Sequence, residues 1–258
     1  MHDTEAPRLV APIPAYAHVL AVIAHPDDVE ALCGGTVALL RDAGARVSYV
    51  LLTSGDKGSP DPLADRVALG ARREAEQLAA AALLDVAEVI FLRRFDGEVS
   101  DDAPTRAALA AQIRRLRPDL LLTFDPWYDY SFHNDHRQCG FVALAAARTL
   151  ARRPGPVCGP AGEVVAPLAP PHAIPEVWFF HTERPTIVFD IAPTIARKAA
   201  ARVAHASQAA DPVATARGIY TRAAAVGERY GLALAESFRA VPFPADESFA
   251  ARLAAAEW

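Results

Sequence analysis

The sequence predicts an α/β protein of Rossmann-like form, a mostly parallel sheet with helices on both faces. Three observations carry this. Short runs rich in β-branched and aliphatic residues alternate with longer stretches of helical spacing. The strand-like runs are apolar almost throughout, as strands covered on both faces are. Of 258 residues, 52% are apolar and 22% charged, enough to bury a sizeable core.

The elements follow in order. Residues 18–25 read as a first strand, and 29–43 as a helix stopped by Gly44. A second strand spans 46–53, a polar loop 54–62, and a long Ala-rich helix 65–84. A strand at 88–92, a helix at 104–116 and a fourth strand at 119–124 come next, then a helix at 135–152. Residues 153–175 hold seven prolines and read as a long loop, of the kind that serves as lid or binding loop. Two short strands (176–181 and 186–191) and two helices (193–207 and 212–230) complete the pattern, with a partly helical tail after Pro242. Such alternation implies right-handed βαβ units, and the expectation is one domain over residues 1–258.

Composition excludes some classes. A net charge of −5 argues against a nucleic-acid partner, whose footprint is basic. No apolar run reaches the roughly 20 residues of a membrane helix, so no membrane association is expected. The start lacks a basic region followed by an apolar one, so a cytoplasmic protein is expected. Cys33, Cys139 and Cys158 have the spacing of neither a zinc knuckle nor a disulfide framework.

Two polar clusters carry chemistry. His25-Pro26-Asp27-Asp28 follows the first strand, and a second cluster ending His133-Asn134-Asp135-His136 follows the fourth. In a doubly wound sheet these two strand ends flank the crevice where ligands bind. His25, Asp28 and His136 would then form a three-ligand set with a position left for water, the pattern of a catalytic zinc. Asp27 could take the proton from that water, and His133 could stabilise an oxyanion or protonate a leaving group. Against this, Asp27 or Asp28 could merely cap the following helix, and the histidines could be surface residues. Capping explains one acid, not two beside a histidine. Two clusters after two strands of one sheet favour a metal site.

These motifs, with Gly34-Gly35-Thr36, resemble those of the PIG-L/LmbE-like superfamily of zinc-dependent N-deacetylases. The similarity extends through residues 52–58, Arg73-Glu74-Ala75-Glu76, Phe95-Asp96-Gly97, Arg117-Pro118-Asp119, Val188-Phe189-Asp190-Ile191 and the stretch from Lys198 to Gln208. The resemblance implies a Rossmann-like enzyme that hydrolyses an N-acetyl group from an amino sugar or glycoconjugate. It implies zinc on His25, Asp28 and His136, Asp27 as general base, and His133 at the tetrahedral intermediate with Asp135 tuning it. Asn134 stands where the second motif usually has proline. Family members carry a tyrosine before this cluster that polarises the carbonyl, for which Tyr130 is the nearest candidate and Tyr128 its competitor. Arg73 matches an arginine that faces substrate, set against an exposed helical arginine paired with Glu76 or Gln77. Asp96 would bind a sugar hydroxyl or simply make a turn. One Zn2+ per chain is implied, with Fe2+ the alternative metal. Relatives assemble into trimers or hexamers, so a homo-oligomer is expected. Two rival functions stand beside deacetylation. One is an amidase acting on a larger acyl or thiol-conjugate amide. The other is a non-catalytic Rossmann-like binding module, disfavoured by the missing G-x-G-x-x-G after the first strand.

Overall fold

Every segment that positions the polar clusters lies within the computed structural model, which describes residues 7–129, 131–153, 155–158, 164–166 and 169–243. Along the chain run β1 (Arg8–Leu9), β2 (His18–Ile23), α1 (Asp28–Leu32), α2 (Gly34–Asp42), β3 (Arg46–Thr53) and α3 (Arg66–Leu83). Then come β4 (Glu88–Arg94), α4 (Ala103–Leu116), β5 (Leu120–Phe124) and α5 (Asn134–Ala145), which continues into a π-helical turn (Ala146–Ala151). After β6 (Val157–Cys158) and β7 (Val164–Ala166) follow β8 (Glu176–Phe180), β9 (Ile187–Asp190) and α6 (Ile195–Val203). A 3₁₀ turn (Ala206–Gln208), α7 (Pro212–Glu228) and β10 (Ala235–Pro242) close the described chain.

Eight strands form one sheet in the order β1-β9-β10-β8-β5-β2-β3-β4. The block β8-β5-β2-β3-β4 is parallel throughout. Its centre is apolar: Val19 to Ala24 of β2 and its exit, and Leu120 to Leu122 of β5, are fully buried. The β2–β5 register pairs Val19 with Leu120 and Ala21 with Leu122, so the two strands finish side by side. From β2 the chain moves outward to β3 and β4, and from β5 it moves the other way to β8. The exit ends of β2 and β5 therefore mark the switch point, where an open α/β sheet leaves a crevice. Local signals start the helices: Asp65 accepts hydrogen bonds from the Val67 and Ala68 amides, and Asp102 and Asp211 cap α4 and α7.

Four expectations need correction. The helix expected over 29–43 is two helices broken at Cys33, whose φ of −141° is not helical. The break has a distant cause. The Glu236 carboxylate of β10 accepts from the Gly35 and Thr36 amides, capping α2 from across the molecule. A Cβ at Gly35 would stand 2.9 Å from Ile191, so this approach needs glycine. Second, β10 was not foreseen; it runs antiparallel between β8 and β9. Third, the stretch 153–175 is not all loop, because β6 and β7 pair antiparallel within it. Fourth, the helix expected over 135–152 loses α-helical pairing after Ala145, and the one expected over 193–207 ends at Val203 before a 3₁₀ turn. The tail expected to be partly helical falls outside the described residues from 244 onward. Among the described residues, no helix is long and apolar enough to cross a membrane.

Candidate metal centre and active site

The two polar clusters meet. His25 leaves β2, and His133, Asp135 and His136 stand at the start of α5, the helix reached from β5 through the loop 125–133. The His25 ring centroid lies 4.7 Å from that of His133 and 5.3 Å from that of His136. His133 and His136, one helical turn apart, stack at 4.2 Å, and Phe124 at the end of β5 stacks on the other face of His136 at 4.1 Å. Ring nitrogens of His25, His133 and His136 all lie within 4.8 Å of one another.

Asp28 stands between two of these rings. Its Oδ1 is 3.3 Å from His136 Nε2, and its Oδ2 is 3.7 Å from His25 Nδ1. The same Oδ2 accepts from the backbone amides of Ala24 and His25, which fixes the carboxylate. Burial opposes its ionisation, but the His136 hydrogen bond, the charges of both imidazoles and the His25 amide hold its pKa at about 2.

The opposite side of His25 meets two further acids. Its Nε2 is 3.1 Å from Asp135 Oδ2 and 3.2 Å from Asp96 Oδ1. Asp135 is fully buried and also accepts from the Gly97 and Val99 amides at 2.7 and 3.2 Å. Asp96 accepts from the Lys57 amide at 2.7 Å. Burial works against charging His25, yet the hydrogen bonds to Asp135 and Asp96 and the Asp28 charge outweigh it and raise the pKa to about 10. As a metal ligand His25 would keep the Nε2 proton shared with Asp135 and Asp96 and give up the one on Nδ1, the nitrogen on the Asp28 side. A carboxylate that fixes one ring nitrogen while the other faces a metal is the usual arrangement around a ligand histidine.

These donors fit a divalent metal. Two ligands of one zinc at roughly 2.0–2.1 Å stand about 3.3–3.4 Å apart in tetrahedral geometry. Asp28 Oδ1 lies 3.3 Å from His136 Nε2 and Asp28 Oδ2 lies 3.7 Å from His25 Nδ1, near that separation through different oxygens of the carboxylate. The mixture of imidazole and carboxylate suits zinc or iron. The imidazoles of His25, His133 and His136 form an alternative set, and His25 with Asp96 and Asp135 another.

Asp27 differs from its neighbour in every respect. It occupies the capping position of α1 but makes no side-chain cap hydrogen bond, so helix capping does not account for it. Its φ of 94° is left-handed, costly for a residue with a Cβ. Its carboxylate lies 3.2 Å from Arg202 and 3.7 Å from Arg73. Burial and the Asp28 charge raise its pKa, with the two guanidiniums opposing. His133 is pushed the other way from an ordinary histidine, lowered by burial and by the neighbouring imidazoles.

Arg73 is not the exposed helical arginine of the alternative reading. It is 5% exposed and donates to the carbonyls of Gly55 and Pro26 at 2.8 and 2.7 Å, pinning the turn that carries Asp27. Gly55, at φ 66°, makes room for it; a Cβ there would lie 2.3 Å from the guanidinium. Asp96 turns into the site rather than merely shaping a bend. Tyr130 falls outside the described residues, whereas the Tyr128 ring packs on His181 at 4.5 Å. The sequence assigned no role to Arg202, Glu30 or His205, although all three fall in stretches that carry the family resemblance. Arg202 lay inside the stretch resembling the family, but no spacing ties α6 to the turn after β2.

The fold and this cluster define an enzyme of the α/β class with its site at the switch point of a parallel sheet. The chain matches the family model described as GlcNAc-PI de-N-acetylase, PIG-L, over residues 20–147. It is 34% identical over 226 residues to the diacetylchitobiose deacetylase of Thermococcus kodakarensis, covering 87% of this chain and 83% of that relative. It is 36% identical over 168 residues to a 1D-myo-inositol 2-acetamido-2-deoxy-alpha-D-glucopyranoside deacetylase of Nakamurella multipartita, covering 53% of this chain and 56% of that one. The solved N,N'-diacetylchitobiose deacetylase of Pyrococcus horikoshii superposes with a TM-score of 0.79 at 30% identity, over 88% of this chain and 84% of that one. The chain belongs to the PIG-L family of de-N-acetylases.

Proposed function

We propose that this enzyme removes an N-acetyl group from a small amino-sugar or glycoconjugate substrate, using a zinc ion held by His25, Asp28 and His136. One observation carries the reading. Asp27 lies beside the Asp28 ligand position with its carboxylate unused by the helix it precedes, as a proton acceptor for water would be. The diacetylchitobiose and inositol-linked acetamido-sugar deacetylases similar to this chain support the amino-sugar class. One zinc per chain is proposed, with Fe2+ the alternative, and a cytoplasmic location and homo-oligomeric assembly are part of the same reading.

When bound, such a metal lowers the pKa of a water to roughly 7 and polarises the amide carbonyl. Asp27 takes the proton of the attacking water. Its raised pKa suits it to hold that proton and to return it to the departing amine. His133, kept neutral by its surroundings, donates a hydrogen bond to the oxygen on which negative charge develops. Asp135 holds His25 in the required tautomer. Tyr130 is proposed to polarise the substrate carbonyl. Arg73 and Asp96 are 5% and 6% exposed, so any contact they make with the sugar is at the crevice floor.

The test is metal content of the purified protein together with acetate release from N-acetylglucosamine and N,N'-diacetylchitobiose, with and without chelator. About one zinc per chain and chelator-sensitive acetate release are expected. Bound metal with no acetate released from either sugar, but turnover of a longer acyl amide, would replace this reading with the amidase.

A further inference from the structure

Three buried polar side chains beneath the site have no place in that mechanism. Glu30, Gln77 and His205 are each fully buried. They come from three separate places: Glu30 from α1, Gln77 from the middle of α3, and His205 from the bend between α6 and the 3₁₀ turn. They form one chain of contacts. His205 Nε2 is 3.3 Å from Glu30 Oε2, Gln77 Nε2 donates to Glu30 Oε1 at 3.0 Å, and Gln77 Oε1 accepts from the Asp27 amide at 3.0 Å. Glu30 thereby fixes which way the Gln77 amide points. Its nitrogen faces the acid, so its oxygen must face Asp27.

The far end of the chain is where the backbone needs help. Asp27 is held at φ 94°, and it has no side-chain hydrogen bond to the helix that follows. Its carbonyl accepts from the Ala31 amide, which starts α1, and its amide is held by Gln77. The same segment that supplies His205 also supplies Arg202, 3.2 Å from the Asp27 carboxylate. An ionisable pair in an apolar interior is poor value for stability alone, since well-packed apolar residues commonly do as well or better. Its geometry instead ends on one strained residue.

We propose that His205, Glu30 and Gln77 are positioning residues that hold Asp27 in its left-handed conformation and so aim its carboxylate at the attacking water. The proposal rests on Asp27 being the base. It makes the bend after α6, more than 170 residues away in sequence, part of the catalytic geometry.

A double-mutant cycle tests it on the whole metal-loaded enzyme. Gln77→Leu keeps the bulk and removes both hydrogen bonds. The expected result is a loss of kcat of roughly tenfold or more, the scale of a displaced catalytic group, with KM within about twofold and metal content unchanged. In an Asp27→Asn background the same substitution is expected to change kcat no further, because the group it aims is gone. Glu30→Leu removes the acceptor that orients Gln77 and is expected to lower kcat in the same direction, with no further loss in the Asp27→Asn background. Should Gln77→Leu not fold, Gln77→Asn withdraws the same amide by one methylene and is read in both backgrounds. Equal losses with and without Asp27, or an undiminished kcat, would overturn the proposal alone. Wild-type turnover by Asp27→Asn would instead overturn the base assignment, and the proposal with it.

Discussion

Asp27 and Asp28 are chain neighbours set in opposite surroundings. Asp28 is fixed by the Ala24 and His25 amides at the end of β2, and the imidazoles of His136 from α5 and of His25, with the His25 amide, hold its pKa at about 2 against burial. Asp27 faces the α3 and α6 side, where burial and the charge of Asp28 itself push its pKa up. In the proposed mechanism the first carboxylate, held ionised, is the ligand and the second exchanges a proton. The difference teaches that role follows environment, since the side chains are identical. Asp27 stands at a left-handed φ of 94°, and its carboxylate meets Arg202 and Arg73 where that of Asp28 meets His136 and His25.

The largest effects should come from the Asp28 side. His136→Ala is expected to lose the bound metal and to reduce turnover to background, measured as zinc per chain and acetate release. The same substitution at His133 discriminates between the competing ligand sets. If His25, Asp28 and His136 hold the metal, His133→Ala keeps it while kcat falls on the order of 10²–10³, the cost of losing one oxyanion donor. Metal lost from His133→Ala and retained by Asp28→Asn would transfer the site to the three imidazoles.

The next effect lies on the Asp27 side. Asp27→Asn is expected to retain metal and lose on the order of 10²–10⁴ in kcat, the range of general acid–base catalysis. The contrast between metal-free His136→Ala and metal-loaded Asp27→Asn is the comparison in measurable form. If both lose metal, the two acids share one role and the opposition between them collapses.

How much of this was legible in the sequence divides along the same line. The Asp28 side was readable because its parts are local. His25 and Asp28 fall at or just past the end of the strand read at 18–25, His133 and His136 lie in the polar cluster that follows the strand read at 119–124, and the switch-point rule joins them. Parallel strands buried on both faces advertise themselves, so β2, β3 and β5 emerged with nearly their observed bounds. The Asp27 side depends on pairings set only by tertiary packing. Arg202 reaches it from α6, His205 from the bend after α6, and Gln77 from α3. The same holds for the break at Cys33, which answers to Glu236 in β10, itself an antiparallel strand placed between β8 and β9. No period within the sequence encodes a cap 200 residues away.

The smallest effect is the most specific to Asp27. Arg202 Nη2 lies 3.2 Å from its carboxylate and Arg73 Nη2 lies 3.7 Å away, and both favour the ionised form against burial. Arg202 is the better target because Arg73 also pins the turn through Gly55 and Pro26. Arg202→Met keeps the stem and removes the charge. Without that cation the Asp27 carboxylate is harder to ionise, so its pKa rises further. At any pH on the acid side, a smaller fraction of the enzyme then carries the base form. The acid limb of kcat/KM against pH is therefore expected to move to higher pH, while the rate at the plateau stays close to wild type and metal content is unchanged. A limb that moves to lower pH, or one that stays fixed while the plateau drops, would mean Arg202 acts on substrate rather than on Asp27. The two sides of the turn would then differ only in what they bind, not in how they hold a proton.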